Sequence, residues 1–393
     1  MNEGIKETVE RIQPELVRMR RHLHAHPELS FEEHGTMAWI ALELAAAGIA
    51  HRTGVAGTGV IAALHGEGGI GSRTIALRAD IDALPINEQN ICDYRSTNPG
   101  VMHACGHDAH TAMVLGAGRV LHALRGTWKG TVQLIFQPGE EKIPGGASLV
   151  LKENAFGAHL PDAMLGQHVT PELPCGKLGF RPGAFMASSD ELYITVRGKG
   201  GHAAQPERLI DPIMITARLL PQLNEEFAER YAGHKTVLAF GRVEALGATN
   251  VVPNDVNIAG TLRAFDEALR ADMHAWLPAR AHAICSAMGG TCDFEVRKGY
   301  PVVVNDDALT ARMQHVARTL IGAENVVVMD QRMGSEDFAF YTHVMPGCFF
   351  RLGTGAPDEV APRGLHTPTF DIDERALAIG CGMMVAGALA ELA

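Results

Sequence analysis

The densest chemistry in this chain lies in residues 102–110, MHACGHDAH. His103, Cys105, His107, Asp108 and His110 put five side chains able to bind or orient a metal within eight residues. Cys105 and His107 can reach one ion only if the backbone between them turns tightly, and Gly106 permits such a turn. The Ala/Gly-rich run TAMVLGAGRVLHALRG follows with apolar residues at helical spacing. The cluster is therefore expected at a loop-to-helix junction, with Asp108 near the helix N-terminus, where a carboxylate is favoured.

Three more sets of candidate ligands follow apolar, strand-like runs. TIALRADID (74–82) ends in Asp80 and Asp82, two carboxylates that point the same way on an extended segment. TVQLIFQPGEE (131–141) ends in a Pro138-Gly139 turn and the pair Glu140-Glu141. Adjacent glutamates cannot both face one ion in regular structure. In a turn they can divide the labour, one binding metal and the other acting as general base on a water held there. DAMLGQHV (162–169) carries His168, and GLHTPTFDIDE (364–374) carries His366 in a loop before a terminal helix. Strand C-terminal ends are where α/β proteins gather ligand groups.

Cys105, His107, Glu141, His168 and His366 exceed what one tetrahedral zinc site uses. Five ligands suit two metals roughly 3.5–4 Å apart sharing a bridge, which activate a water for attack on a carbonyl or phosphoryl centre. The thiol favours zinc, cobalt or nickel, and the imidazoles and carboxylates leave manganese open. Cys105 as a nucleophile beside His107 is the alternative, but it gives the glutamate pair no role. The chain has no GxSxG, HExxH or Walker A sequence. Its lone Gly-rich stretch, GEGGIGS (66–72), reads as a hairpin connection.

The positioning elements are read from periodicity. Helices are expected over 5–24 and about 33–47, and strands over 60–66 and 74–82. From about residue 187 the order becomes strand with a Gly-rich turn (190–207), helix (211–232), strands (235–246 and 255–265), helix (266–290), strand (291–299). That β-α-β-β-α-β order describes a small ferredoxin-like α+β domain, 187–297, inserted in a larger α/β domain made of 1–186 and 298–393. DIDE (371–374) reads as a cap for the last helix.

A length of 393 residues suits two domains. The net charge of −11 argues against nucleic acid or an anionic membrane as main partner. Seven cysteines, with no CxxC, fit a reducing compartment. The charged N-terminal stretch has no apolar core of a secretory signal, so the expected location is the cytoplasm.

Ten motifs in order resemble the M20 metallopeptidase clan, in its amidohydrolase branch of hippurate hydrolases, N-acyl-amino-acid amidohydrolases and auxin-conjugate hydrolases. They are HPELSFEE (26–33), RADIDALP (78–85), MHACGHDAH (102–110), FQPGEE (136–141), GQHV (166–169), GGHAA (200–204), NVVPND (250–255), GTLRAF (260–265), GSEDFAF (334–340) and GLHTPTFDIDE (364–374). The resemblance implies a large mixed sheet flanked by helices, with the inserted domain serving as lid and dimerisation domain. It implies that Cys105, His107, Glu141, His168 and His366 bind two divalent metal ions (manganese, zinc, cobalt or nickel). Glu140 matches the general base, and Asp82 matches a carboxylate that orients a metal-binding loop. His202 matches an oxyanion-stabilising histidine that often reaches across a dimer, and Asn250 and Arg263 match positions near the substrate carboxylate. The implied reaction is hydrolysis of small-molecule N-acyl amino acids by a homodimer or higher homo-oligomer. Competing readings are a dipeptidase or aminopeptidase, an N-carbamoyl-amino-acid hydrolase, and a silent binding protein.

The chain departs from the pattern at three points. Gly139 stands where alanine is usual, and the expected result is a looser turn. Pro206-Glu207 stands where Pro-His is common. Asp80 stands where the wider clan has a metal-binding histidine, which fits the branch that uses Cys105.

Overall fold

The computed structural model describes residues 2–356 and 363–393. The chain divides into two compact units: Met1–Phe185, Val303–Gln331 and Asp337–Ala393 form the larger, Met186–Val302 and Arg332–Glu336 the smaller.

The larger unit is built on an eight-stranded mixed sheet. Its order is His51–Val55, Gly59–His65, Thr131–Gln137, Thr74–Asp80, Ala163–Pro174, Gly347–Gly355, Leu178–Phe180 and Val326–Val328. The strands 131–137, 74–80, 163–174 and 347–355 run parallel, and they are the apolar, buried ones, as strands covered on both faces must be. Parallel strands end on the same edge of a sheet. The residues that follow Asp80 and Gln137 therefore emerge side by side, with Asp80 opposite Gln137 in register.

Helices Asn2–Ala25, His107–Ala123 and Ala376–Leu392 belong to this unit. Helix 107–123 is buried along nearly its whole length, which its small and apolar residues allow. One expectation is corrected here. GEGGIGS is not a hairpin connection: strand 131–137 lies between 59–65 and 74–80, antiparallel to the first and parallel to the second. DIDE does cap the entrance to helix 376–392: the Asp373 carboxylate accepts the Arg375 amide at 3.0 Å and its carbonyl the Ala376 amide.

In the smaller unit a four-stranded antiparallel sheet has the order Val237–Glu244, Asp255–Arg263, Asp190–Arg197, Thr291–Lys298. Leu192, Ile194 and Val196 alternate into its core, against helices Pro212–Arg230 and Glu267–Ala287. Both helices start on an aspartate cap. Asp211 accepts from the Ile213 and Met214 amides, and Asp266 from the Leu269 amide. The loop between the middle strands adds a short ribbon, Val251–Val252 paired with Gly201–His202, that the sequence pattern did not mark. Among the described residues no helix is long and apolar enough to cross a membrane.

Candidate metal centre

Gly106 precedes helix 107–123 with φ at 84°, a conformation that favours glycine, and a Cβ there would lie 2.4 Å from Val169 Cγ2. This turn sends Cys105 and His107 to the same side of the strand ends. His107 Nδ1 lies 2.9 Å from the Asp82 carbonyl and 3.1 Å from its Oδ1, which leaves Nε2 as the lone-pair nitrogen. Asp82 is itself held by Ser30 Oγ (2.7 Å) and by the Glu141 amide (3.0 Å). Burial alone would raise the Asp82 carboxyl, but His107, the Glu141 amide and Ser30 outweigh it and keep it below the usual range.

His168 Nδ1 donates to the Val169 carbonyl at 2.7 Å, so its Nε2 faces Cys105 Sγ at 3.3 Å. Burial, with Arg351 and His110 nearby, pushes this ring well below its ordinary value, and the neutral ring is the form that binds metal. His366, the more exposed of these histidines, sits at φ 60°, a strained position for a non-glycine residue. Its amide donates to the Ala104 carbonyl at 2.8 Å. Its Nε2 lies 3.3 Å from Cys105 Sγ and 3.1 Å from Glu141 Oε1.

Two groups of donors result, Cys105–His107–His168 and Cys105–Glu141–His366, each with ligand atoms within 4.8 Å of one another. They share the sulfur. The residues fit a metal on two observations. His107 Nε2 is buried with no hydrogen-bond partner among the described residues, a costly state unless something else satisfies it. Burial and Glu141 also push the Cys105 thiol up, so its thiolate needs a cation beside it.

A model of peptidase family M20/M25/M40 matches residues 76–389. The chain belongs to this family. An N-acyl-L-amino acid amidohydrolase of Geobacillus stearothermophilus is 39% identical over 307 residues, covering 78% of this chain and 82% of that protein. An N-acetylcysteine deacetylase of Bacillus subtilis is 38% identical, covering 93% of each. A solved Bacillus subtilis structure, described as a dinuclear metal binding peptidase from the M20 family, superposes with a TM-score of 0.84 at 34% identity, over 98% of this chain and 99% of that one. The M20 chain is thus an amide-bond hydrolase with a mixed-sheet α/β fold and candidate metal ligands.

Other residues of the 102–110 stretch serve as frame. His110 donates from Nδ1 to Asp80 Oδ1 (2.6 Å) and accepts the Val169 amide at Nε2 (3.0 Å), so both ring nitrogens are used. Asp108 lies in the first turn of the helix, as expected. Its carboxylate is taken by Arg20 Nε at 2.9 Å and His24 Nδ1 at 2.7 Å, both wholly buried. Burial pushes His103 down to about 4, and it stays neutral beneath the loop. Asp80 accepts from Arg78 and His110. Burial opposes its charge, but His107, His110 and Arg78 hold it well below the usual carboxylate range.

Glu140, also buried, lies with His107 and Glu141 in a third group of close donors. The turn before it is fixed rather than loosened. Gly139 is at φ 60°, its amide donates to Glu33 Oε1 at 2.8 Å, and a Cβ there would lie 2.3 Å from the Phe31 ring. In this backbone the glycine is what lets Phe31 close against the turn.

The remaining site candidates of the M20 chain belong to the smaller unit. His202 is exposed on the 201–202 ribbon, and its Nδ1 accepts the Ala204 amide at 3.1 Å, so the neutral ring carries its proton on Nε2. Asn250 is exposed, and its carbonyl accepts the Ala203 amide, which ties it to the same ribbon. Arg263 ends strand 255–263, with Nη1 on the Met333 carbonyl at 2.9 Å. The frame residues Arg20, Ser30, Glu33, Arg78 and Asp337 were not singled out from sequence. A charged residue inside an apolar run, as Arg78 in TIALRAD, was the available signal.

Proposed function

We propose that this protein hydrolyses the amide bond of N-acyl amino acids, giving a carboxylic acid and a free amino acid. The observation that carries this reading is the pair of donor groups sharing Cys105, with Glu140 buried beside them. The names of the amidohydrolase and deacetylase relatives support the substrate class. Cys105, His107 and His168 would hold one divalent ion and Cys105, Glu141 and His366 a second, with manganese, zinc, cobalt or nickel suited to this donor set. Bound there, such ions supply positive charge that acidifies water and polarises an amide carbonyl.

The protein's own groups do the rest. Asp82 orients His107. Glu140 accepts the proton of the attacking water and returns it to the leaving nitrogen as the C–N bond breaks. His202 offers Nε2–H to the developing oxyanion, and Asn250 and Arg263 bind the substrate carboxylate. In this reading the smaller unit, as a lid and dimerisation domain, joins two copies into a cytoplasmic homodimer.

The test is amine release from a panel of N-acetyl, N-benzoyl and longer N-acyl amino acids, with dipeptides and N-carbamoyl amino acids alongside. Chelator-stripped protein is assayed with and without added manganese, zinc, cobalt or nickel. Metal-restored cleavage of one acyl class is the expected result. Cleavage of dipeptides alone, or of nothing despite metal uptake, contradicts the assignment.

A further inference from the structure

Arg78, Asp80, Gln137, Asp337 and Tyr341 are buried polar groups that the proposed mechanism leaves unused. Arg78, 1% exposed in the central sheet, donates from its guanidinium to several of them. Nη1 donates to Asp80 Oδ2 at 2.6 Å, Nη2 to Asp337 Oδ1 at 2.7 Å, and Nε to Gln137 Oε1 at 3.0 Å. Gln137 Nε2 donates to both Asp337 oxygens, at 2.9 and 2.8 Å, and the Tyr341 hydroxyl donates to Gln137 Oε1 at 3.1 Å. The Ala147 amide adds a further bond to Asp337 Oδ2 at 2.9 Å. The fully buried Asp337 carboxylate is thus held from three directions.

The backbone of the same residue does something different. The Asp337 amide points at Glu140 Oε1, 3.4 Å away, a long contact of the kind that tightens when a site engages its substrate. Asp337 is also the first residue after the chain returns to the larger unit from Arg332–Glu336. The backbone at that point is held both by the turn that follows, where the Asp337 carbonyl accepts the Phe340 amide at 3.0 Å, and by the anchored side chain.

Burying an arginine with two carboxylates is a poor way to gain stability, because apolar residues of similar volume often serve as well or better. It is a good way to fix a geometry, since a satisfied buried polar network rigidifies the groups it joins. We propose that Asp337 is a positioning residue. Locked by Arg78 and Gln137, its carboxylate holds its own N–H on Glu140 Oε1 and so orients the general base. Arg78 extends the same network to Asp80, the partner of His110. The inference rests on the reading of Glu140 as the base.

The experiment compares Asp337→Asn, which keeps the shape but turns one acceptor into a donor, with Gln137→Met, a milder loosening of the same anchor. Both are measured for melting temperature, metal per chain, kcat and KM. The expected result for Asp337→Asn is a fall in kcat on the order of 10- to 100-fold, as for a small misplacement of a catalytic group. Metal content and KM should be little changed. Gln137→Met should lower kcat in the same way by less, and it carries the test if Asp337→Asn does not fold. A lowered melting temperature with kcat unmoved in the folded variants overturns the proposal and leaves a structural role. Glu140→Gln is assayed beside them. If it keeps near-normal turnover, the base assignment falls and takes this proposal with it. If it is silent while both anchor variants match the wild type, only the positioning role is lost.

Discussion

The histidines of the two units are held in opposite ways. His107 is buried, its Nδ1 engaged by Asp82, and Asp82 is engaged in turn by Ser30 and the Glu141 amide. His168 has its tautomer set by the Val169 carbonyl. His202 of the smaller unit is exposed and has one recorded partner, the Ala204 amide. The first arrangement fixes both which nitrogen is free and where it points, as metal ligation demands. The second fixes only which nitrogen carries the proton. Under the proposed function, the larger unit would hold the preorganised metal ligands, whereas His202 of the smaller unit is proposed as a donor to the substrate.

The comparison can be broken in several ways. Cys105→Ala carries the largest expected effect, since its sulfur is common to both donor groups: bound metal and turnover should be lost together. Stoichiometric metal by elemental analysis would break the account of the larger unit. His202→Ala should lower kcat by on the order of 10²- to 10³-fold, as for loss of one oxyanion donor. Metal content and melting temperature should stay as in the wild type, and a loss of metal would erase the contrast between the units. Gly139→Ala forces a Cβ into a positive-φ position against Phe31, and should cost about 1–3 kcal/mol in denaturant unfolding. An unchanged midpoint would mean that the turn relaxes freely.

The smallest effect belongs to the smaller unit and appears only in acid. Burial opposes the charge of Asp190, but Arg270 and His274 outweigh it and hold the carboxyl down to about 2. A depressed folded value means that this stabilisation is present in full above the ordinary carboxylate pKa near 4 and is lost as pH falls through about 2. It amounts to about 2 kcal/mol. Urea unfolding of the wild type should weaken over that window, and Asp190→Asn should be less stable near neutrality with a flatter acid dependence. An equal acid slope in both proteins would remove Asp190 as the cause.

Cys105 and His107 were legible from the density of donors in 102–110, and Glu141 and His168 because each follows an apolar, strand-like run, patterns that survive in one dimension. Their supports were not. Arg78 and Asp337 are 259 residues apart, and Arg20 and Asp108 are 88 apart. No local spacing announces such pairs. Strand order was hidden for a similar reason: periodicity marks 60–66 and 74–82 as strands but says nothing of 131–137 entering between them. Strand His51–Val55, mostly exposed at the sheet edge, has no apolar alternation to read. The first-turn position of Asp108 was legible, but only the fold brings Arg20 and His24 to it. Gly139 shows the same limit. A glycine for alanine reads as slack until the structure sets Phe31 against it.

The central claim is that Glu140 is the base beside a centre built by other residues. Its most direct test is Glu140→Gln, with metal per chain and amine release measured on the same sample. The account predicts metal equal to the wild type and turnover lower by on the order of 10²- to 10⁴-fold. Near-normal turnover in a metal-replete Glu140→Gln protein would contradict it.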